Sequence, residues 1–526
     1  MRLTALFENK GAIGKWPDSS IVAEGASVPA PVEGWDAVSP LAAMSPKRAV
    51  QLDNWFPQPD WVELRNGHIE HSDTGSGVAV ETLAKYQGVS SSFLFAASGT
   101  VIYDVTASGA GMSSHTGMAN ARFQHINFAT TGGSFLWMCN GADDPIYFNG
   151  SAWSAAVITG VTASDIVNVN AHQNRIWVCL NNSLDAYYLA TDSIQGAATK
   201  FALGGLFTQG GFLMAMGTWS VDAGDGPQDY AVFITSRGQC AIYSGTDPAS
   251  NYALVGVFDL GAPLGRRCFV KAGSDLALNC IDGVIPLSKV MIFERAAIVK
   301  ASLTQRIQRV MNASARSYRN NFGWQLISYP MGTRVILNVP VIEGYLQHQY
   351  VMNTQHGAWC RFTGMNANCW ELLNDRLFFG GNDGIVYEAD EGGADPNTAI
   401  EADMRTAFNY FGQRGRNKRW MMCRPLFTTD QSVTPGLAFN VDFQEDAEVV
   451  PTQSSLPVGS KWDESLWDTA VWSEEVVTQG IWTSVTGLGY CASIRVQAVV
   501  AASEEAGKVV LRLNGFDLTM QRGAFV

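Results

Sequence analysis

Seven times along the chain, a short run rich in β-branched and aromatic residues passes through a turn dipeptide into a second run. Six of the seven second runs carry a tyrosine. The pairs are FLFAASG with IYD (Phe95, Ser98-Gly99, Tyr103), FLWMCNG with IYF (Trp137, Asn140-Gly141, Tyr147), and RIWVCLNN with YY (Trp177, Asn181-Asn182, Tyr187). VFITSRG with IYS (Phe233, Arg237-Gly238, Tyr243) and LALNCIDG with VIPL (Ala277, Asp282-Gly283, no Tyr) follow. The last two are VILNVPVIEGY (Ile336, Glu343-Gly344, Tyr345) and LFFGGNDGIVY (Phe378, Asp383-Gly384, Tyr387). Gly or Asn at these turns supplies the positive φ of tight hairpins, and the flanking residues suit pleated, half-buried strands.

Successive anchors lie 42, 40, 56, 44, 59 and 42 residues apart. The short intervals match one four-stranded propeller blade. The two long ones hold insertions, a Gly-rich stretch around 204–226 and a helix expected over 302–319. That helix places Leu303, Ile307, Val310 and Met311 on one face, with Arg306, Arg309 and Arg316 on others. The fold class expected is therefore all-β: a β-propeller of six or seven blades on a platform, with a C-terminal antiparallel β-sandwich and one inserted helix. An all-β array without circular closure is the alternative. Three domains follow: an N-terminal platform segment over 1–81, the propeller-like domain over 82–395, and a sandwich or platform domain over 396–526. The first contains LDNWFPQPDWVELRNG (Leu52 to Gly67), read as extended chain and a turn. The last contains the alternating runs LAFNVDF, SIRVQAVVAA and KVVLRLNGFDL. Trp462, Trp467 and Trp472 recur every five residues, a spacing of neither helix nor strand; a loop whose indoles plug into the sheet is expected, with an aromatic ligand platform as the sharper alternative.

Composition narrows the class. With 526 residues, 47% hydrophobic and only 16% charged, the chain is too apolar for intrinsic disorder. No run approaches 18 apolar residues, which argues against a membrane-spanning helix. The start, MRLTALFENKGAIGKWPD, lacks an apolar h-region and argues against Sec export. The nine Cys (139, 179, 240, 268, 280, 360, 369, 423 and 491) include no C-x-x-C pair and read as buried thiols of a reducing compartment.

The net charge of −13 is spread in blocks. Arg295, Lys300, Arg306, Arg309, Arg316, Arg319 and Arg334 form a basic block without acids. Asp383, Glu388, Asp390, Glu391, Asp395, Glu401 and Asp403 form an acidic block without bases. Arg405, Arg414, Arg416, Lys418, Arg419 and Arg424 form a second basic block. Solvated loops are the bland account. Opposite-sign patches also suit a head-to-tail contact between copies, with Arg405 to Arg424 at the inter-subunit surface or lumen and Asp383 to Asp395 as the complementary patch.

Catalytic constellations are scarce. His68 and His71 stand in NGHIEHSD, a turn-like segment unlike a helical zinc site. There is no G-x-S-x-G elbow and no P-loop. DAGDGPQD (Asp222, Asp225, Asp229) and DEGGADPN (Asp390, Glu391, Asp395) lack the order of a calcium loop and read as blade loops. No enzyme, metal or cofactor is expected.

The order of landmarks carries a resemblance. LDNWFPQPDWVELRNG precedes the repeats; NRIWVCLNNSLDAYYLATDSIQGAATKFALGGLFTQGGFLMAMGTW and YAVFITSRGQCAIYSGTDP lie within them; WDESLWDTAVW and a sandwich-like tail close the chain. This layout resembles the tail nozzle (tail tubular) and tail-hub proteins of short-tailed bacteriophages, the podoviruses. The resemblance implies a virion structural protein, assembled in the host cytoplasm, that forms a homohexameric ring. It implies a propeller on a platform built from both chain ends, a tail adaptor above, tail fibres or tip proteins as neighbours, and viral DNA passing through the lumen without specific binding. It carries no catalytic residues and no cofactor. A glycan-binding or glycan-cleaving propeller for host attachment is the rival, on the strength of 16 Trp. A cellular propeller scaffold is weaker still, because Trp462-Asp463 and Trp467-Asp468 fall outside the repeats.

Overall fold

The computed structural model describes residues 23–222, 227–292, 294–430, 435–445, 449, 453–454, 477–504 and 507–525. Its centre is a closed, seven-bladed β-propeller, and each of the seven hairpins read from the sequence supplies the second and third strands of one blade. The first blade runs Val80–Gln87, Ser92–Ser98, Val101–Asp104 and Met112–Thr116, all antiparallel, from axis to rim. Blades two, three and four repeat this order, starting from inner strands Gln124–Thr130, Ile166–His172 and Leu213–Asp222. Blade five has three strands, beginning at Phe269–Ala272; Leu287–Val290 and Arg295–Lys300 are short helices that follow them and bury Leu287, Val290 and Ile298 against its sheet. Blade six starts at Gln325–Tyr329 and blade seven at Cys369–Leu373. The turn glycines do what their spacing implied: Gly238 has φ +91° and a Cβ there would stand 2.3 Å from the Leu260 carbonyl oxygen.

The gaps between blades one to five, and between seven and one, each hold their own apolar cluster, while blades five to seven share one with the sandwich. Tyr86, Phe95, Leu136 and Phe148 join blades one and two; Trp137, Ile166 and Val178 join two and three; Trp177, Phe233 and Tyr243 join three and four. This explains the aromatic load, because a radial wedge widens outward and needs large rings to fill it. Among the described residues, nine tryptophans (35, 55, 137, 177, 219, 324, 359, 370 and 420) are buried.

Closure uses a strand from the far side of the sequence. His68–Asp73 pairs antiparallel with Ile385–Ala389 and forms the outer strand of blade seven. The boundary drawn at residue 81 is thereby corrected: the platform segment ends earlier, and 68–73 belongs to the propeller. Sequence periodicity could not reveal this, since the pairing spans more than three hundred residues.

The chain ends form a two-sheet sandwich. One sheet is a direct extension of blade six: its outer strand Trp359–Phe362 meets Ala49–Asp53, followed by Ile400–Thr406, Ala492–Val500 and Gly436–Val441 in one nine-stranded sheet. The facing sheet is built on the long antiparallel pair Arg416–Thr429 and Leu511–Phe525, with Glu24–Pro29, Trp55–Pro57 and Val62–Leu64 added from the N-terminal side. Leu52, Met404, Ile494 and Val496 pack against Trp55, Trp420, Phe516 and Leu518 in one core that continues into blades six and seven.

The inserted helix is shorter than expected, Gln308–Tyr318 after a 3-10 turn at Gln305–Ile307. Residues 303 and 304 are held instead by blade five: the Leu303 amide donates to the Val284 carbonyl, and the Val284 amide donates to Thr304 Oγ1. The helix buries Met311, Ser314 and Ala315, with Ser314 Oγ 2.7 Å from the Tyr350 hydroxyl. Trp462, Trp467, Trp472 and Asp225 lie outside the described residues.

Candidate functional site

Two places collect charge: the junction between propeller and platform, and the propeller axis. At the junction, the acidic block meets cations drawn from distant segments. Asp395, fully buried, receives both arms of Arg65 (2.9 and 2.5 Å) and stands 2.9 Å from His68 Nδ1. Burial alone would raise the Asp395 pKa, but the Arg65 charge and the His68 and Arg65 hydrogen bonds hold its carboxyl well below the usual range. Asp390 accepts from Arg334 (2.7 Å) and from Asn66 (2.9 Å). Glu388 pairs with Arg376 (Nε to Oε1, 2.6 Å), and Glu391 with Lys508 (2.9 Å). Asp383 accepts from the Tyr387 hydroxyl at 2.6 Å. DEGGADPN is thus a clasp of ion pairs. In the other candidate calcium loop, Asp229 accepts from Gln173 at 3.2 Å. Among the described residues no group of three or more His, Cys, Asp or Glu is placed to hold a metal.

The second basic block divides in two. Arg405 donates to Gln51 and pairs with Glu445 (2.7 Å), while Arg424 pairs with Asp517 (2.5 Å) and lies over the Trp482 ring. Lys418 is buried, and its ammonium donates to three carbonyls, of Gln413, Arg416 and Tyr490 (2.6, 2.9 and 2.8 Å). Burial pulls its pKa down. Arg416 begins the long strand Arg416–Thr429, paired with Phe525. Arg414 and Arg419 are exposed; Arg414 lies 4.6 Å over the Tyr410 ring, and neither meets an acidic partner among the described residues. The expectation of six cations at an inter-subunit surface or lumen, with five acids as the complementary patch, is therefore reduced. Most of these charges are used within the chain, because each sits beside a partner that sequence order places far away.

The axis is crossed rather than open. Arg267, ahead of blade five's inner strand, donates to the Glu81 carbonyl (3.1 Å), Thr82 Oγ1 (2.7 Å) and the Phe123 carbonyl (3.0 Å) of blades one and two. Arg122 bridges Glu81 (2.9 Å) and Glu343 (2.8 Å) and lies 4.4 Å over the Phe322 ring, tying blade two to blade six. Deeper, Glu371 stands 3.4 Å from Lys85 Nζ and 3.5 Å from His125 Nε2. Burial lowers the His125 pKa, and Glu371 only partly offsets it. Sequence reasoning missed this set, since its members come from blades one, two, five, six and seven and share no local motif.

The nine cysteines are all buried and unpaired, as the strand-like contexts implied. Burial pushes the thiols of Cys179, Cys240, Cys268, Cys280, Cys369 and Cys423 up to about 12. No helix among the described residues is long and apolar enough to cross a membrane.

No family model matches the chain, and no curated protein matches it. Solved structures similar to it include BBS1N crystallised in complex with ARL6DN (9% identity, 62% of this chain and 98% of that one, TM-score 0.39). The extracellular domain of BT4673 from B. thetaiotaomicron is similar over 82% of this chain and 61% of that one (9% identity, TM-score 0.41). Sqt1 of Saccharomyces cerevisiae is similar over 61% and 99% (9% identity, TM-score 0.35).

Proposed function

We propose that this chain is a structural subunit of a short-tailed bacteriophage tail, a nozzle or hub protein that assembles into a hexameric ring through which viral DNA is retained and ejected. The observation that carries the reading is the nine-stranded sheet shared by blade six and the sandwich, which makes propeller and platform one stiff body. Such a coupling suits a ring subunit that must hold its shape under the pressure of packaged DNA. The crossed axis agrees, because salt bridges occupy the place where a propeller would receive a small ligand. The platform's outer sheet leaves Ile481, Trp482, Leu488 and Tyr490 exposed, an apolar surface suited to another subunit. In this reading the chain performs no chemistry. DNA slides past a surface whose net negative charge repels phosphate. The rival glycan reading loses its main support, since most of the tryptophans stand in the inter-blade and sandwich cores.

Mass by light scattering on the full chain, followed by electron-micrograph class averages, tests the proposal. A six-fold ring with a central hole is the expected result. A particle that stays monomeric at every concentration, or that degrades polysaccharide, would overturn it.

A further inference from the structure

On the propeller face where the inner strands begin, a cavity of about 470 Å³ opens between blades three to six. Its floor is apolar: Phe212, Met214, Pro263, Leu264 and Ile281. Its polar rim consists of Asn182, Ser236, Arg237, Arg319 and Asn320, all of which can donate hydrogen bonds, and no carboxylate among the described residues lines it. A smaller cavity of about 170 Å³ adjoins, sharing Ile281 and Arg319 and adding Arg316 and Asn312. Its one acid, Asp282, is already held by Arg295 at 2.9 Å. Arg237, Arg316 and Arg319 are exposed and have no acidic partner among the described residues.

The position is built by local constraints. Arg237 occupies the turn between the second and third strands of blade four, and its side chain passes over Gly211, where a Cβ would stand 3.0 Å from Arg237 Cγ. Arg316 lies in the last turn of the helix Gln308–Tyr318, and Arg319 is its C-cap. There they offset the helix's carbonyl end, but that end carries only about half an elementary charge against their two. Most of the positive charge of Arg237 and Arg319 is left at the groove, with Arg316 lining the adjoining cavity.

We infer that this groove binds a compact phosphate ester, its phosphate gripped by Arg237 and Arg319 and its organic body resting on the Phe212–Ile281 floor. Guanidinium groups match phosphate oxygens bidentately, and the two asparagine amides and the Ser236 hydroxyl can add further donors. The floor distinguishes the site from a simple track for polymer backbone, which needs charge but no enclosed apolar base. The inference stands apart from ring assembly, because the groove lies within one chain.

Isothermal titration of the full protein with inorganic phosphate, a hexose monophosphate and a nucleoside monophosphate tests it. Saturable binding of at least one ester, tighter than inorganic phosphate, is expected. Arg237→Ser and Arg319→Ser should each weaken it about tenfold, while Arg309→Ser, on the same helix but outside the groove, should not. The hexose and nucleoside arms separate a sugar phosphate from a nucleotide as the natural ligand. Binding of no ester, or binding indifferent to the two groove substitutions, would overturn the inference. So would affinity for duplex DNA alone, rising with its length and falling steeply with salt. Thermal unfolding of each variant without ligand, expected to match the parent, shows that lost binding is not lost folding.

Discussion

Asp395 is a full negative charge with no exposure, tolerated because Arg65 and His68 face it. Removing one member of such a set strands the other, which costs about 3–5 kcal/mol. Asp395→Asn should therefore destabilise the protein by that amount in chemical denaturation, while the apolar double change Arg65→Met with Asp395→Leu should recover much of the loss. Because the folded pKa is depressed, the stabilisation is present above the unfolded value of 3.8 and is lost as pH falls below it. His172 gives a second pH effect in a milder range. Burial lowers its pKa from 6.5 to about 4, so it folds as neutral imidazole. Its contribution is intact above pH 6.5 and erodes as pH drops toward 4, by at most about 1.4 kcal/mol per pH unit. His172→Gln should flatten that slope; parallel stability curves for the variant and parent would refute the assignment. The thiols offer a direct check on burial: native protein should resist thiol reagents, and denaturant should expose all nine. At this scale the charged blocks were visible in the sequence as blocks, but their roles were not. Nothing local announces that Lys418 is sealed under three carbonyls or that Glu388 belongs to Arg376.

The elements divide by the range of their signals. Hairpins were legible because a glycine or asparagine at positive φ between two β-rich runs is a local, steric demand, and all seven became the middle of a blade. Inner strands such as Ile166–His172 were silent, since their identity is set by packing across two wedges. The closing strand His68–Asp73 was read as platform for the same reason. Its pairing gives an alternating prediction. Of the neighbouring residues Ile69 and Glu70, one donates its amide into the ladder with Ile385–Ala389 and the other points it away. Proline at the donating position should cost about 3 kcal/mol or more and speed amide exchange in blade seven, and proline at the other should cost much less. Equal effects would mean that the strand does not hold the ring shut.

At the scale of the molecule, the proposed ring can be probed by charge. Arg414 and Arg419 are the cations of the second basic block left exposed without an acid partner among the described residues. Reversing both to glutamate should shift the light-scattering mass toward monomer, and high salt should imitate the change. Arg405→Glu, by contrast, should act on folding, through Gln51 and Glu445, before it acts on assembly. The two readouts, mass and unfolding midpoint, separate these outcomes.

Closure also sets a timetable for synthesis. Asn66 bonds to Asp390, 324 residues later, and the strand that follows Asn66 pairs with the one just before Asp390. At about 5–20 residues per second, the early strand emerges roughly 16–65 s before its partner exists. Through that interval blades one to six can form in turn while residues 68–73, joined on one side to Gly109–Ala110, wait with the other edge open. The ring is completed by its oldest part, so a chain cut short before residue 385 lacks the strand with which His68–Asp73 pairs.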